Sequence, residues 1–499
     1  MRGYGVELGE RIGGEKQVSI AKKLLNKWKN MSPMAKASVC FSLAMFLQKG
    51  LVSLSTPVFT RIMSTVEYEQ YTVYYAWSSM ISIVATLNLS SGVLNNQLVK
   101  GENTREEIIS AFQGLSSVWA IGFTLVFAAL SMLGMRFSSM SVGLWFLMLL
   151  SFAVTPAYDD WMVGRRFTYD YKAPCLLMVV IAILNFVIPL VSVVSSGRKG
   201  EARILAAILI NMTVGVVFWA YNWRNCHKLF VPRIWKAALT FNLPLLPHFL
   251  SLMILNQSDK IMIEGMCQPG QAAIYAVAHT VAAIIQLLMT AINYSLVPWT
   301  YQKLKAGHFK EIASKSNVIL LMVGVMLGAI MLFAPEIMLI MAPKEYQEAV
   351  YIIPPMAAGI YFNYLYQFYG RIELYHEKTR YMTIGSVICA IVNIVLNIIF
   401  IDIFGYMAAA YTTLICQMGL CLMHGVLAQR IVRREGYLES PFANRQIAVI
   451  SMVVLGIALV MPLVFAKIFL RLLLIGGLCI GIIVCRRHLE NYVRIAKKR

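Results

Sequence analysis

Charge is scarce in this chain. Asp, Glu, Lys and Arg make up 14% of its 499 residues, against roughly 25% in a soluble domain. So little polar side chain cannot coat a water-soluble surface, which excludes a soluble enzyme or binding module of this length. Acid is the rarer sign, with 24 Asp and Glu against 44 Lys and Arg. Catalytic signatures are missing too: there is no Walker loop, HExxH, GxSxG or membrane-proximal DxD. Asp159-Asp160 begins like the DDxxD of a diphosphate enzyme, but Val163 stands in the fifth position and no second copy follows. No CxxC or Cys/His spacing of a metal site occurs. Seven of the nine cysteines, Cys40, Cys175, Cys389, Cys416, Cys421, Cys479 and Cys485, lie in apolar runs and read as small core hydrophobes. No catalytic residue, metal or cofactor is expected. Nor is a signal peptide, because about 37 polar and basic residues precede the first apolar run.

What is present is hydrocarbon. The chain is 59% hydrophobic, and its mean hydropathy is +0.67. Apolar runs of about 20 residues recur, each enough to cross roughly 30 Å of bilayer. The reading is an all-α polytopic membrane protein of about fourteen transmembrane helices. The spans fall at 38–60, 71–98, 109–133, 142–163, 173–195, 204–223, 238–264, 271–297, 316–335, 349–370, 381–401, 406–428, 446–466 and 468–485. With both termini cytoplasmic, 34 Lys and Arg fall on inner segments, eight on outer ones and two within spans. That is the positive-inside bias. The net charge of +20 then reflects topology and anionic lipid rather than nucleic acid. Trp161, Trp219, Trp223, Trp235 and Trp299 sit near predicted inner boundaries, as an interfacial belt does.

The expected organisation is a basic cytoplasmic tail (1–37), a first lobe of six spans (38–223), an inner linker (224–237), a second lobe of six spans (238–428), an added helix pair (429–485) and a second basic tail (486–499). In the first tail Ile20, Leu24 and Trp28 share one helical face among lysines, a pattern suited to an anionic leaflet. A solvated basic tail accounts for the same residues. The chain reads as duplicated. Thr60-Arg61-Ile62-Met63 closes the first span much as Asp259-Lys260-Ile261-Met262 closes the seventh. Gly164, Arg165, Tyr169 and Lys172 recur as Gly370, Arg371, Tyr375 and Lys378, offset by 206 in the corresponding inner loops. Both copies start inside, so two parallel lobes related by a pseudo-two-fold along the membrane normal are expected, facing each other across a cavity.

Lys49 is the sharpest candidate. It lies about 11 residues into the first span, roughly 16 Å deep. A lysine at that depth costs about 2.5–3.5 kcal/mol on insertion scales and demands a cavity or a partner. Gln48 adds a second polar group. Arg61 and Lys260 lie nearer the outer surface, where long side chains snorkel, and their matched positions suggest a shared central site. Asp159, Asp160 and Asp259 are candidates for ion coupling, with pairing to neighbouring cations as the plainer account. Pro57, Pro156, Pro189, Pro244, Pro247 and the pair Pro354-Pro355 interrupt spans and mark kinks.

STPVFTRIMSTVEYEQYTVY (Ser55–Tyr74), WMVGRRFTYDYKA (Trp161–Ala173), NQSDKIMIEGMCQPGQAAIYAVAHTVA (Asn256–Ala282) and the Leu296–Gly307 stretch with Pro298 resemble the bacterial polysaccharide-biosynthesis flippases. These are the O-antigen and capsule repeat-unit exporters of the multidrug/oligosaccharidyl-lipid/polysaccharide superfamily. The similarity runs from Ala37 to Arg430 and rests on hydropathy and short motifs. It implies two six-helix lobes, and a further C-terminal helix pair fits the lipid II flippases and some polysaccharide exporters. It also implies a substrate of oligosaccharide on a polyprenyl diphosphate, turned from the inner to the outer leaflet of a bacterial cell membrane. Membrane lipids and polysaccharide polymerase or assembly machinery are the implied partners. Lys49, Gln48, Arg61 and Lys260 would meet the diphosphate in a wet cavity. Three alternatives stay open: an ion-coupled multidrug exporter, a membrane glycosyltransferase or polymerase, and a non-transporting scaffold.

Overall fold

The computed structural model describes residues 30–91, 93–100, 104–133, 140–437 and 439–465, with scattered residues between 467 and 477. The first basic tail with Ile20, Leu24 and Trp28, most of the fourteenth span, Cys479, Cys485 and the second tail lie outside the described residues.

Local signals start the helices. Ser32 accepts from the amide of Ala35, and Pro33 opens helix α1 (Pro33–Ile62) at the one position where its missing N–H costs nothing. Helix α2 (Thr65–Ala85) begins with a capping box between Ser64 and Glu67, worth about 1 kcal/mol. The second span then breaks. Leu87 and Asn88 take left-handed backbone, a short 3-10 turn follows at Leu89–Ser91, and helix α3 (Val93–Lys100) completes the crossing. Helix α4 (Arg105–Met132), capped by Thr104, returns. The fourth span is also broken, into α5 (Val142–Ser151) and α6 (Pro156–Phe167), with Pro156 restarting the helix. Helices α7 (Lys172–Ser195) and α8 (Lys199–Asn225) complete the first bundle.

The seventh span divides into α9 (Pro232–Asn242) and α10 (Leu246–Met266), with Pro244 and Pro247 in and just after the break. The second bundle continues with α11 (Gln271–Lys305), α12 (Phe309–Leu332), the short α13 (Ala334–Met341), α14 (Ile353–Tyr375), α15 (Thr379–Phe404), α16 (Ala408–Arg434) and α17 (Asn444–Val464). Among the described residues eleven segments are long and apolar enough to cross a membrane, counting the broken fourth and seventh spans as one each. Helices α2 and α14 fall short of that apolarity because Glu, Tyr, Asn and Gln interrupt them. Nearly all of α14 is buried against α11, α12, α16 and α17, so its polar groups face protein rather than lipid.

Helices α1–α8 pack mainly on one another, as do α10–α17. The bundles meet at the end that the charge bias assigns to the outside, termed the outer end. There α2 lies against α10 and α11, and α1 against α11 and α13. At the opposite end α9 leans back on the first bundle. Trp235 Nε1 donates to the carbonyl of Ala111 at 2.9 Å, and the Asn242 amide donates to the carbonyl of Leu87. The seventh span therefore begins on one bundle and ends in the other.

Candidate functional site

Lys49 is exposed and makes no hydrogen bond or ion pair among the described residues. Its direction follows from helix geometry. Lys49, Ser53, Thr56 and Thr60 stand at spacings of four, three and four, hence on one face of α1. Thr60 is fully buried, and its hydroxyl donates to the carbonyl of Met341 at the end of α13, 3.1 Å away. The stripe that touches the second bundle at the outer end therefore carries Lys49 about 16 Å further in. Gln48 is rotated off this stripe. It lies three turns from Phe59, which packs edge-on against Phe186 of α7, so it faces the interior of the first bundle and is half-buried.

Arg61 belongs to the outer contact. Its guanidinium donates to the carbonyls of Pro57 at 2.7 Å and Ile340 at 2.9 Å. Beside it Glu69 of α2 accepts from the amides of Gly270 at 3.0 Å and Ala272 at 2.8 Å, at the N-terminus of α11. Tyr68 and Tyr346 meet edge to face across the same seam. Behind it Arg203 of α8 is buried among the rings of Phe59, Tyr68 and Tyr71, and Lys199 donates to the carbonyl of Ile62 at 2.6 Å. These contacts hold the outer end closed.

Lys260 departs from the expectation of a snorkelling residue. It is 6% exposed and its ammonium donates to Gln257 at 2.8 Å. Six residues remain before α10 ends at Met266, which puts Lys260 about 9 Å inside the helix end, between helices. Arg61 by contrast sits one residue from the end of α1. The two cations do not occupy equivalent places.

Asp259 is buried in the second bundle and takes only neutral donors among the hydrogen bonds described. Asn397 of α15 donates at 2.7 Å, Thr413 of α16 at 2.8 Å, and the Tyr275 hydroxyl of α11 donates to the second oxygen. Thr412 donates to Asn397 behind them. A cavity lined by Asn256, Asp259, His279, Gln286, Asn363 and Gln417 opens beside the carboxylate. Three helices thus aim neutral donors at one buried acid carried by a fourth. In the first bundle Asp160 is buried and Asp159 exposed. Ser90, in the break of the second span, donates to one Asp160 oxygen at 2.7 Å, and the other oxygen has no partner among the described residues.

The inner-loop repeat is present in shape but not in the expected register. Asp170 donates to the carbonyl of Arg165 at 3.0 Å, and Lys378 to that of Glu373 at 2.8 Å. Tyr169 and Glu377 supply the left-handed residue of each turn. The turns therefore match at an offset of 208, two residues away from the identities pairing Gly164, Arg165, Tyr169 and Lys172 with Gly370, Arg371, Tyr375 and Lys378. The side chains diverge accordingly. Arg165 pairs with Asp170 at 2.9 Å, whereas Arg371 is buried and donates to Asn293 at 2.6 Å. Lys172 and Lys378 are exposed, and Tyr375 packs on Tyr301. Sequence reading missed Glu69, because the turn it binds across the seam is 201 residues away, and missed Asn397, Thr413 and Tyr275, whose meeting needs the tertiary fold.

Two bundles joined through a broken seventh span give the chain the fold of solved transporters of the MOP superfamily. An inward-facing multidrug resistance MATE transporter of that superfamily aligns over 81% of this chain and all of its own, at 13% identity and a TM-score of 0.62. The lipid II flippase MurJ, inward closed, aligns over 87% of this chain and all of its own, at 15% identity and a TM-score of 0.60. A MOP superfamily transporter from Pyrococcus furiosus covers 80% and 96% of the two chains, at 15% identity and a TM-score of 0.57. The chain belongs to the polysaccharide biosynthesis protein family, whose profile matches residues 34–304. The MatE profile matches residues 244–399. An uncharacterized membrane protein of Haemophilus influenzae is 26% identical over 199 residues, 38% of this chain and 49% of the relative. The "Lsg locus putative protein 1" of the same organism is 28% identical over 110 residues, 21% and 27% of the two chains. The chain thus spans about half or less of the length of these relatives.

Proposed function

We propose that this protein turns oligosaccharide repeat units, carried on a polyprenyl diphosphate, from the inner to the outer leaflet of a bacterial cell membrane for surface polysaccharide synthesis, with both termini cytoplasmic. The observation that carries the reading is Lys49, a cation at mid-depth on the stripe of α1 that meets the second bundle at the outer end. A diphosphate needs such a charge in a space it can enter, and the lipid tail can stay in hydrocarbon while the head crosses. Family membership supports a polysaccharide role, and the fold is shared with a lipid II flippase. Arg61 and Glu69 act as the outer gate in this reading, and Asp259 with Asn397 and Thr413 as the ion-coupling site. Asp159 and Asp160 are a second acidic position in the first bundle. An ion-coupled multidrug exporter is the competing reading, favoured by the MatE match over 244–399. Cationic drugs would be repelled by Lys49. The test is deletion followed by lipid analysis. Lipid-linked repeat units are expected to accumulate with their glycans facing the cytoplasm, and unchanged lipid pools would refute the reading.

A further inference from the structure

Three helices of the first bundle meet at its inner end around a cavity of 90 Å³ that the proposed path does not use. Helix α4 brings Arg105 and Glu106 from its first turn, α6 brings Trp161 and Arg165 from its last two turns, and α8 brings Tyr221 and Asn225 from its end. Gly164 sets the spacing. A Cβ there would stand 2.7 Å from Ile109 Cδ1, so the glycine lets α6 lie close against α4. Tyr221 and Asn225 are exposed and form the mouth, whereas Trp161 is buried.

The charges of the cavity come in balanced pairs. Arg105 Nε donates to Glu106 at 3.0 Å. Arg165 donates to Asp170 at 2.9 Å and to the Tyr221 hydroxyl at 3.1 Å. Each guanidinium therefore has its own carboxylate, and the four groups carry no net charge. A phosphate brought here meets a repelling carboxylate beside each cation. A neutral hydroxyl meets no such penalty, because it donates to a carboxylate and accepts from a guanidinium at once. Trp161 adds an independent sign. Its Nε1–H is buried and has no acceptor among the described residues, although a buried indole N–H ordinarily finds one. The ring oxygen or a hydroxyl of a sugar supplies that acceptor. At the mouth the Tyr221 ring offers a π face to the C–H edges of the same ring. The volume is several times what a single water needs, which suits one small polyol ring rather than a chain of them.

We propose that this cavity binds one neutral sugar ring at the inner end of the first bundle, and that the ring belongs to the glycan of the substrate, docked there before its diphosphate reaches Lys49. The second half of the proposal rests on the flippase reading, but the sugar site does not.

The test uses the full-length chain in nanodiscs of zwitterionic lipid. Glucose, galactose and N-acetylglucosamine are the probes, each at about 10 mM to suit millimolar affinity. Saturation-transfer NMR is expected to give a signal from at least one of them, and the double variant Y221A/N225A, changed only at exposed positions, to lose it by about fivefold or more. No signal from any of the three overturns the proposal, as does a variant that keeps the wild-type signal. Trp161→Phe keeps a ring in the core and removes only the free N–H, so it tests the site without touching the mouth. Binding weakened by about threefold or more is expected, and unchanged binding overturns the role of the indole. Displacement of the sugar by inorganic phosphate, or its loss in nanodiscs of anionic lipid, would assign the cavity to a phosphate or a lipid headgroup and overturn the proposal. In cells, Y221A/N225A present at wild-type amount is expected to accumulate lipid-linked repeat units on the inner leaflet by about fivefold or more. A wild-type distribution, where deletion of the protein does cause accumulation, overturns the docking role alone. Lipid pools unchanged by deletion refute the flippase reading instead, and the sugar site is then judged by the NMR.

Discussion

Glu69 and Gly270 lie 201 residues apart, and the carboxylate of the first accepts the amide of the second at 3.0 Å. Gly270 has left-handed backbone and opens α11. The acid therefore sits on the positive end of a helix in the other bundle. With Arg61 on the carbonyl of Ile340 and Thr60 on that of Met341, it makes the outer seam a set of side-chain-to-backbone bonds. These bonds sit beside an apolar contact, in which Phe59, Met63, Tyr68 and Val73 share one buried cluster with Ile263, Ala272 and Tyr275 of the second bundle.

Replacing Glu69 tests this. Each charge-assisted bond is worth about 1.5–3 kcal/mol, so Glu69→Ala is expected to favour the outward-open state by at least tenfold. Labelling by an impermeant reagent of a probe on the interlobe face of α1 reports the shift. Unchanged labelling from the outer side would remove Glu69 from the gate.

Asp259 gives a second prediction. Asp259→Asn keeps the size of the side chain but removes the charge that three donors and a neighbouring cavity surround. If the site takes a monovalent cation, the thermal midpoint of the wild type rises with sodium relative to choline, and the Asn variant loses that rise. An equal sodium response in both would assign the cluster to structure.

The inner turns offer a stability prediction. Tyr169 has φ 55° and Glu377 φ 57°, a conformation that strains a residue bearing a Cβ. Tyr169→Gly and Glu377→Gly are each expected to raise stability by about 0.5–1 kcal/mol. Thermal denaturation in one detergent checks both, and a lowered midpoint would mean that the side chains contribute more than the strain.

The sequence carried the architecture because hydropathy and charge bias are one-dimensional signals. Spans and the breaks at Pro156 and Pro244 follow from spacing along the chain. Pairings between helices do not. Nothing near Asp259 in sequence announces Asn397 or Thr413, and the motif identities at 206 concealed a turn equivalence at 208 because hydrogen-bonded shape tolerates changed side chains. Lys260 misled for the same reason: six residues from a helix end looks superficial until neighbouring helices cover it. Gln48, one residue from Lys49, faces elsewhere because a helix turns about 100° per residue.

Lys49 carries the central claim, and its chemistry separates charge from packing. In cells making the polysaccharide, the leaflet distribution of lipid-linked repeat units should be measured for Lys49→Ala and Lys49→Arg, with each protein confirmed in the membrane at wild-type amount. The account predicts accumulation on the inner leaflet for the alanine variant, by tenfold or more, and substantial rescue by arginine. A wild-type distribution in Lys49→Ala would contradict it.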